Sequence, residues 1–430
     1  MTAAERAHDL ILFGASGFVG SLTATHLAEN APVGARIALA GRSRDKVAAV
    51  QRGLPDAART WDVLEADAGD PEQMARLAAS TRVVVTTVGP YARYGLPLAA
   101  ACAGAGTHYA DLTGEVLFVR ELADTCHELA QQTGAKIVNA CGFDSIPSDI
   151  GVFLTAERAR ADGAGQLTNT TLFVRGLRGG LSGGTIDSMR QQAIEMDDPA
   201  LAGVVRDPYG LSPDRSAEPA SSRARPPKAG GPLDLVRGVA RHTPVRRGPD
   251  GHWLGPFVMA AFNTRIVRRS NALLDHAYGR DFRYQEVMDF GRSAKAPAVA
   301  SGMTAGLLGV VGAMRFGPTR AVLDRMLPKP GEGPSPERQR AGRFRMEIEA
   351  GTSGGPRYRT VFAANADPGY SGTAIMLGQS GLALAFDDDL PDRAGVLTPA
   401  TGIGAGLADR LRAQGFTITT TVMSPTGAAR

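Results

Sequence analysis

The sequence predicts an α/β protein in which a doubly wound parallel sheet is followed by a second, α+β domain. A short apolar run at residues 10–13 leads directly into a glycine turn and a helical pattern, and apolar runs then alternate with helical segments over the first 150 residues. Beyond residue 150 the pattern changes to alternating strands, with a hairpin at residues 343–349 and 357–361. Two domains also fit the length, because 430 residues exceed a single ordinary core.

Each element of the first domain is predicted from its own residues. Strands are predicted at 10–13, 36–40, 61–66, 82–88, 107–110 and 136–140, where apolar residues run together between turn-forming residues. Helices are predicted after the glycine turn and at 71–79, 97–105 and 116–132, and Gly134 suits the end of the last one. Strands separated by helices at this spacing form a parallel sheet of about six strands, ending near residue 149.

A glycine turn joins the first strand to the first helix. It consists of seven consecutive residues: Gly14, Ala15, Ser16, Gly17, Phe18, Val19 and Gly20. The first glycine permits the tight turn, the second leaves room for a phosphate near the backbone, and the third lets the helix pack closely on the strand. Because a helix N-terminus attracts anions, this order predicts a dinucleotide pyrophosphate site in a Rossmann-type domain.

The residues after the second and third strands predict which dinucleotide binds. An acidic residue after the second strand would favour NAD, whereas this chain has Arg42 and Ser43, which can bind a 2′-phosphate and so favour NADP. The alternative is a solvated helix start with Ser43 as the N-cap. Asp67 follows the third strand, where its carboxylate either accepts from the adenine amine or helps to cap the helix that starts at Pro71.

Residues after the fourth and sixth strands are the candidates for chemistry, because ligands lie at the carboxyl ends of such strands. Gly89 and Pro90 are predicted to form a rigid turn against the cofactor, and Tyr91 either donates to a substrate carbonyl or packs in the core. Asp144 and Ser145 either bind substrate or relay a proton, or else form a turn that caps the next helix.

Two carboxylates, Asp111 and Glu115, follow the fifth strand at the start of a helix. The helix dipole favours acidic residues at that place whatever the function of the protein. A structural role is therefore predicted for both.

Composition excludes several classes of protein. A formal charge of +4 without a basic, aromatic stripe argues against nucleic-acid binding. The three cysteines have no metal-site spacing and need no oxidising compartment, and the polar N-terminus predicts no signal peptide, so a cytoplasmic location is expected. The uncharged stretch 296–314 is predicted to be a buried Ala/Gly helix, with peripheral contact to the inner face of the plasma membrane as the alternative.

The chain resembles the saccharopine dehydrogenase-like oxidoreductases, in the branch that contains the mycobacterial trans-acting enoyl reductases. The resemblance rests on residues 14–20, 40–42, 88–91, 109–115, 141–149, 182–185 and 395–400. It implies a Rossmann domain, an α+β domain and a C-terminal segment that packs back on the first. The corresponding divisions are an NADP-binding domain at 1–150, a substrate or oligomerisation domain at 151–390 with a mobile excursion at 207–250, and a C-terminal segment at 391–430.

That branch also implies an activity. The resemblance implies NADP-dependent reduction of a carbon–carbon double bond in a small or carrier-bound acyl substrate made by a polyketide synthase, feeding lipid synthesis. Two alternatives stay open: an imine reductase of the saccharopine type, and a non-catalytic NADP-binding scaffold on lipid or a synthase. Whether the chain forms a homodimer is also left open.

Overall fold

Seven parallel strands form the first sheet of the computed structural model, which describes residues 6–179, 199–219, 245–248, 250–314, 333 and 335–424. The strands are His8–Phe13 (β1), Ile37–Gly41 (β2), Asp62–Glu65 (β3), Thr81–Thr86 (β4), His108–Ala110 (β5), Lys136–Val138 (β6) and Gly395–Leu397 (β13). They lie in the order β13-β6-β5-β4-β1-β2-β3. The six predicted strands are confirmed, and the seventh comes from the C-terminal part of the chain and pairs with β6.

Helices connect these strands at the positions expected, with one difference. They are Phe18–Asn30 (α1), Arg44–Arg52 (α2), Pro71–Ala79 (α3), Tyr91–Ala105 (α4), Val116–Thr133 (α5) and Ile146–Ala161 (α6). The prediction that α4 begins at residue 97 is wrong, since Pro97 lies inside the helix. The N–H groups of Tyr91 and Ala92 are satisfied by the carboxylate of Glu115, which no local pattern indicates.

A second, mixed sheet follows. Its strands are Leu167–Arg178 (β7), Arg246–Arg247 (β8), Trp253–Pro256 (β9), Arg283–Asp289 (β10), Arg343–Thr352 (β11), Arg357–Ala364 (β12) and Thr417–Met423 (β14). The order is β14-β12-β11-β7-β10-β9-β8, and β7 with β10 is its parallel pair. The predicted hairpin is confirmed as β11 and β12, which pair antiparallel from Phe344 to Gly351.

The remaining helices surround the two sheets. They are Pro199–Arg206 (α7), Ala260–Leu273 (α8), Ala296–Met314 (α9), Pro336–Arg340 (α10), Ser371–Phe386 (α11), Pro399–Gly402 (α12) and Ala405–Ala413 (α13). Helix α11 packs against α1 and the first sheet, where a Cβ on Gly381 would come within 2.4 Å of Val85. Helix α6 packs against β11 and β12.

One hydrophobic core joins the sheets, and a second covers the other face of the first sheet. Leu10, Leu12 and Val85 belong to the shared core together with Ile348 and Phe362 of the second sheet. The intervening residues of the same strands, Ile11, Phe13 and Val84, belong to the other core. This alternation is the period of two expected of a strand that is buried on both faces.

One surface prediction is wrong. The uncharged helix α9 was expected to be buried, but Val299 and Met303 are 52% and 51% exposed. None of the described helices is long and apolar enough to span a membrane.

Part of the predicted excursion at 207–250 is held in place by two arginines. Arg265 donates to the carbonyl oxygen of Asp207, and Arg269 donates to the carbonyl oxygen of Leu211. Residues 182–185 and 220–244, which also entered the sequence predictions, lie outside the described residues.

Candidate functional site

The glycine turn lies at the carboxyl end of β1 and opens toward solvent at the N-terminus of α1. Gly14 has φ +90°, where a side chain would be strained, and a Cβ there would lie 2.6 Å from Thr87 Oγ1. A Cβ on Gly20 would lie 2.1 Å from the carbonyl oxygen of Gly14, so the helix can approach the strand only with glycine at that position. Gly17 is the N-cap residue, and no side chain of the described residues caps this helix end.

The turn therefore fits a phosphate group. The helix N-terminus is left without a side-chain cap or an acidic residue in its first turn, so the field of the helix is available to an anion. Among the other turn residues, Ala15 is buried and Ser16 is exposed, while Phe18 and Val19 are half-buried. The ring of Phe18 packs edge-on against Tyr370, with centroids 5.1 Å apart.

The residues after β2 and β3 lie at the same edge. Arg42 is exposed, and Ser43 occupies the N-cap position of α2 without making a side-chain capping bond. The Ser43 hydroxyl is thus available to a ligand even though the residue begins a helix. Asp67 is exposed, and its carboxylate accepts from Gly69 N at 2.9 Å. The cap of α3 is Asp70 instead, which accepts from Glu72 N and Gln73 N.

Gly89 and Pro90 form the turn between β4 and α4, with a cis peptide bond between them. Gly89 is exposed, and Pro90 is the N-cap residue of α4. Tyr91 follows but points into the core, where it is 3% exposed. Its hydroxyl donates to the carbonyl oxygen of Thr86 at 3.1 Å, so in this arrangement the proton is not directed toward a substrate, and packing is the interpretation that the geometry supports.

The loop after β6 lies between the two sheets. Phe143 packs edge-on against Phe344 of β11, with centroids 4.8 Å apart, and its N–H donates to Thr373 Oγ1 of α11. Asp144 follows and is partly exposed, and no hydrogen bond to its carboxylate occurs within the described ranges. Burial raises the pKa of Asp144 to about 6. This carboxyl group is protonated near neutral pH more readily than an ordinary aspartate, as a proton donor requires.

Ser145 is buried at 1% exposure, so direct contact with a substrate is not what its geometry supports. Its hydroxyl lies 3.3 Å from Asn263 Oδ1 of α8. It makes no capping bond to α6, so the predicted capping turn is not formed by this side chain either.

Three residues that the sequence reasoning missed extend this contact into the second sheet. Asn263 Nδ2 donates to Glu286 Oε2 at 3.0 Å, and the Tyr284 hydroxyl donates to Glu286 Oε1 at 2.9 Å. Burial raises the pKa of Glu286 to about 7. Tyr284 and Glu286 alternate along β10, so their common face could be read from the sequence, but which face is buried could not.

Comparisons with known proteins show the family of the chain and its fold. Residues 10–139 match the saccharopine dehydrogenase NADP binding domain family. The chain is 49% identical to a putative trans-acting enoyl reductase of Mycobacterium tuberculosis, over 98% of this chain and 99% of that protein. It is 46% identical to a trans-acting enoyl reductase of Mycobacterium bovis, over 99% of this chain and all of the relative.

Among solved structures, the saccharopine dehydrogenase of Saccharomyces cerevisiae shares the fold with a TM-score of 0.52 at 12% identity, over 96% of this chain and 99% of that one. The predicted fold class and the NADP assignment are confirmed. The protein is an NADP-dependent oxidoreductase by these comparisons.

Proposed function

The chain belongs to the family of the trans-acting enoyl reductases, and we propose that it reduces the activated carbon–carbon double bond of an acyl thioester with NADPH. The proposal rests on two observations. The whole chain is similar to the trans-acting enoyl reductases, and the carboxyl group of Asp144 lies at the same edge of the first sheet as the glycine turn. Reduction of an enoyl thioester requires a hydride at one carbon and a proton at its neighbour. NADPH supplies the hydride when it is bound.

Residues at the edge of the first sheet are proposed to bind the cofactor. The open N-terminus of α1 would hold the pyrophosphate, and Arg42 with Ser43 would hold the 2′-phosphate. Asp67 lies exposed beyond β3, where its carboxylate would accept from the adenine amine. The turn at Gly89 and Pro90, which follows β4 on the other side of β1, would lie against the nicotinamide half of the cofactor.

The environment of the Asp144 carboxyl group supports the proton-donor part of the proposal. The carboxyl group of Asp144 is partly exposed between the two sheets, makes no side-chain hydrogen bond within the described ranges, and has its pKa raised to about 6 by burial. Backbone N–H donors would favour the ionised form of the carboxyl group, and none binds Asp144 within the described ranges. Asp144 is thus the side chain best suited to deliver the proton to the acyl chain.

The test is single-turnover oxidation of NADPH with an α,β-unsaturated acyl thioester of N-acetylcysteamine, using the wild type, Asp144→Asn and the exposed control Asp45→Asn. The expected result is rapid oxidation by the wild type and the control, and a loss of about 10²–10⁴-fold in Asp144→Asn with NADPH affinity retained. Oxidation only with a preformed amine–keto acid imine would indicate the imine reductase instead. Binding of NADPH without turnover of either substrate would indicate the scaffold.

The partner is proposed on the same grounds. The relatives are named as trans-acting, so we expect the acyl chain to arrive on a carrier domain of a separate polyketide synthase. The thioester should then react with a higher kcat/KM on a synthase carrier domain than on N-acetylcysteamine. Equal values for the two would argue against a carrier-bound substrate.

The exposed part of α9 supports a contact with lipid. Val299 and Met303 lie four residues apart on its exposed side, and the exposed Arg292 and Lys295 precede the helix. Apolar and basic groups in this order suit an anionic bilayer surface. Co-sedimentation with phosphatidylglycerol vesicles should be lost in Val299→Asp, and retention of binding in that variant would exclude this contact.

A further inference from the structure

Residues Asp111 to Glu115 connect β5 to α5, and both carboxylates of this segment are fully buried. They reach in opposite directions along the edge of the first sheet. Glu115 binds the chain that follows β4, and Asp111 binds the chain that follows β6. We call residues 111–115 the edge segment.

Glu115 caps a helix to which it does not belong. Its Oε1 accepts from Tyr91 N at 3.0 Å and its Oε2 accepts from Ala92 N at 2.7 Å. These are the first two N–H groups of α4, directly after the turn at Gly89 and Pro90. A carboxylate at this end of a helix gains from the helix dipole and from two charge-assisted bonds, so it fixes where α4 begins.

Asp111 holds the turn after β6 in the same way. Its Oδ1 accepts from Ala140 N at 2.9 Å, and its Oδ2 accepts from Asn139 Nδ2 at 2.7 Å. Ala140 has φ +65°, a conformation that alanine adopts at a cost. Such a conformation persists only where its surroundings enforce it, and here the Asp111 carboxylate binds the strained residue directly. The loop that carries Asp144 begins at the next residue.

We propose that Asp111 and Glu115 are positioning residues for the reduction, which together fix the separation between the turn at Gly89 and Pro90 and the loop that carries Asp144. This inference rests on the proposed function. Neither side chain is accessible to a substrate, so both act through the backbone they hold. Displacement of a reacting group by about 1 Å is enough to lower a rate by about 100-fold, which makes the separation of these loops a sensitive quantity.

Glu115→Gln is the first test. Glutamine keeps the size of the side chain but offers one acceptor to the two N–H groups, so the start of α4 loses one bond. We expect a fall of ten- to 100-fold in the single-turnover rate at saturating NADPH, with the Kd for NADPH within about threefold because the phosphate contacts are unchanged. Glu121→Gln, an exposed change on α5, is the control and should match the wild type.

An Asp111 series separates geometry from charge. In Asp111→Asn the new Nδ2 can donate to Asn139 Oδ1 if the Asn139 amide turns over, because this buried oxygen has no hydrogen-bond partner among the described residues. The bonds from Ala140 N and Thr113 N to Oδ1 can remain, so this variant should keep a rate near that of the wild type. Asp111→Ala loses the bonds that hold the turn after β6, and its single-turnover rate should fall at least as far as that of Glu115→Gln.

A second measurement does not depend on turnover. The emission maximum of bound NADPH reports the surroundings of the nicotinamide ring, and it should shift in Glu115→Gln and Asp111→Ala but not in Asp111→Asn. Unchanged emission together with an unchanged rate per folded molecule would overturn the proposal, and would leave both carboxylates with a stabilising role only. Should the wild type reduce no enoyl thioester, the proposed function fails, and the emission spectra alone then decide the positioning role.

Discussion

Arg42 stands where an acidic residue would exclude a 2′-phosphate, and its exposed guanidinium is available for one. Arg42→Ala should weaken NADPH binding by about ten- to 100-fold, because one charge-assisted contact is lost, and should leave NADH binding nearly unchanged. Calorimetric titration of both cofactors measures the difference. Arg44→Ala, which removes a neighbouring exposed arginine, serves as the control. Equal losses for the two cofactors in Arg42→Ala would contradict the assignment.

Asp144 predicts a particular dependence of rate on pH. With its pKa near 6, the protonated form that can donate a proton declines as the pH rises through about 6. The single-turnover rate should therefore fall between about pH 5 and pH 7. In Asp144→Asn the rate should be low and independent of pH over that range. An identical pH profile in the variant would exclude Asp144 as the group that titrates.

The residues of the site were predictable to the extent that their chemistry depends on chain neighbours. The separate purposes of Gly14, Gly17 and Gly20 follow from the order strand, turn and helix, and the structure agrees for the tight turn at Gly14 and the close approach at Gly20. Ser145 was not predictable, because its hydroxyl is bound to Asn263, more than a hundred residues away. Nothing in the sequence near Ser145 indicates which face of α8 will be opposite to it.

The glycine turn makes a graded prediction at the level of the element. Gly20→Ala places a Cβ 2.1 Å from the carbonyl oxygen of Gly14, so the turn must shift. Both thermal stability and NADPH binding should therefore be lost. Gly17→Ala places its Cβ 3.3 Å from the same oxygen, which a small adjustment relieves. This variant should stay folded and bind NADPH more weakly. Circular dichroism with calorimetry distinguishes the two, and a folded, fully active Gly20→Ala would contradict the close approach.

Asp149 begins a cluster that joins three helices. Asp149 itself belongs to α6. Its carboxylate accepts a hydrogen bond from the Ser270 hydroxyl of α8 and another, at 2.8 Å, from Ala400 N of α12. Burial raises its pKa to about 6 from an ordinary value of 3.8. The folded state therefore binds a proton more tightly than the unfolded chain, so this contribution to stability is complete below about pH 4 and is lost as the pH rises through about 6.

Asp149→Asn tests that linkage. The variant removes the titrating group, so it should lack the decline in the free energy of unfolding that this group causes, about 3 kcal/mol in total from below pH 4 to above pH 6. Urea denaturation at several pH values measures it, with the exposed Asp45→Asn as the control. A variant curve parallel to that of the wild type would show that Asp149 does not titrate in this range.

Elements defined by local patterns were predicted, and those defined by distant partners were not. Helix α3 has the predicted bounds because Asp70 and Pro71 mark its start locally. The start of α4 was missed because the carboxylate that binds its first N–H groups, Glu115, comes from the segment between β5 and α5. The exposure of α9 was missed for a related reason. An uncharged sequence does not indicate whether another element packs over the helix.

At the scale of the whole molecule, the chain crosses repeatedly between the two sheets. Helix α6 packs on the second sheet although it continues the chain of the first domain, and helix α11 returns to the first sheet before residue 390. The last segment contributes β13 to the first sheet and β14 to the second. Divisions at 150 and 390 therefore describe the sequence better than the packing, because patterning along a chain cannot show which sheet a late strand joins.

This interleaving predicts that the two sheets unfold together. Arg269, 1% exposed, donates both to Leu211 and to Val396 of β13, and Asp149 binds the helix that follows β13, so loss of either sheet removes contacts from the other. Thermal unfolding should show one transition, and NADPH at about 100 times its Kd should raise the stability of the whole chain by about 2.7 kcal/mol. Hydrogen exchange should show the added protection in β11 and β12 as well as in the first sheet. In Arg42→Ala at the same NADPH concentration, the gain in stability should be smaller. Two thermal transitions, of which NADPH raises the midpoint of only one, would show that the two sheets unfold independently.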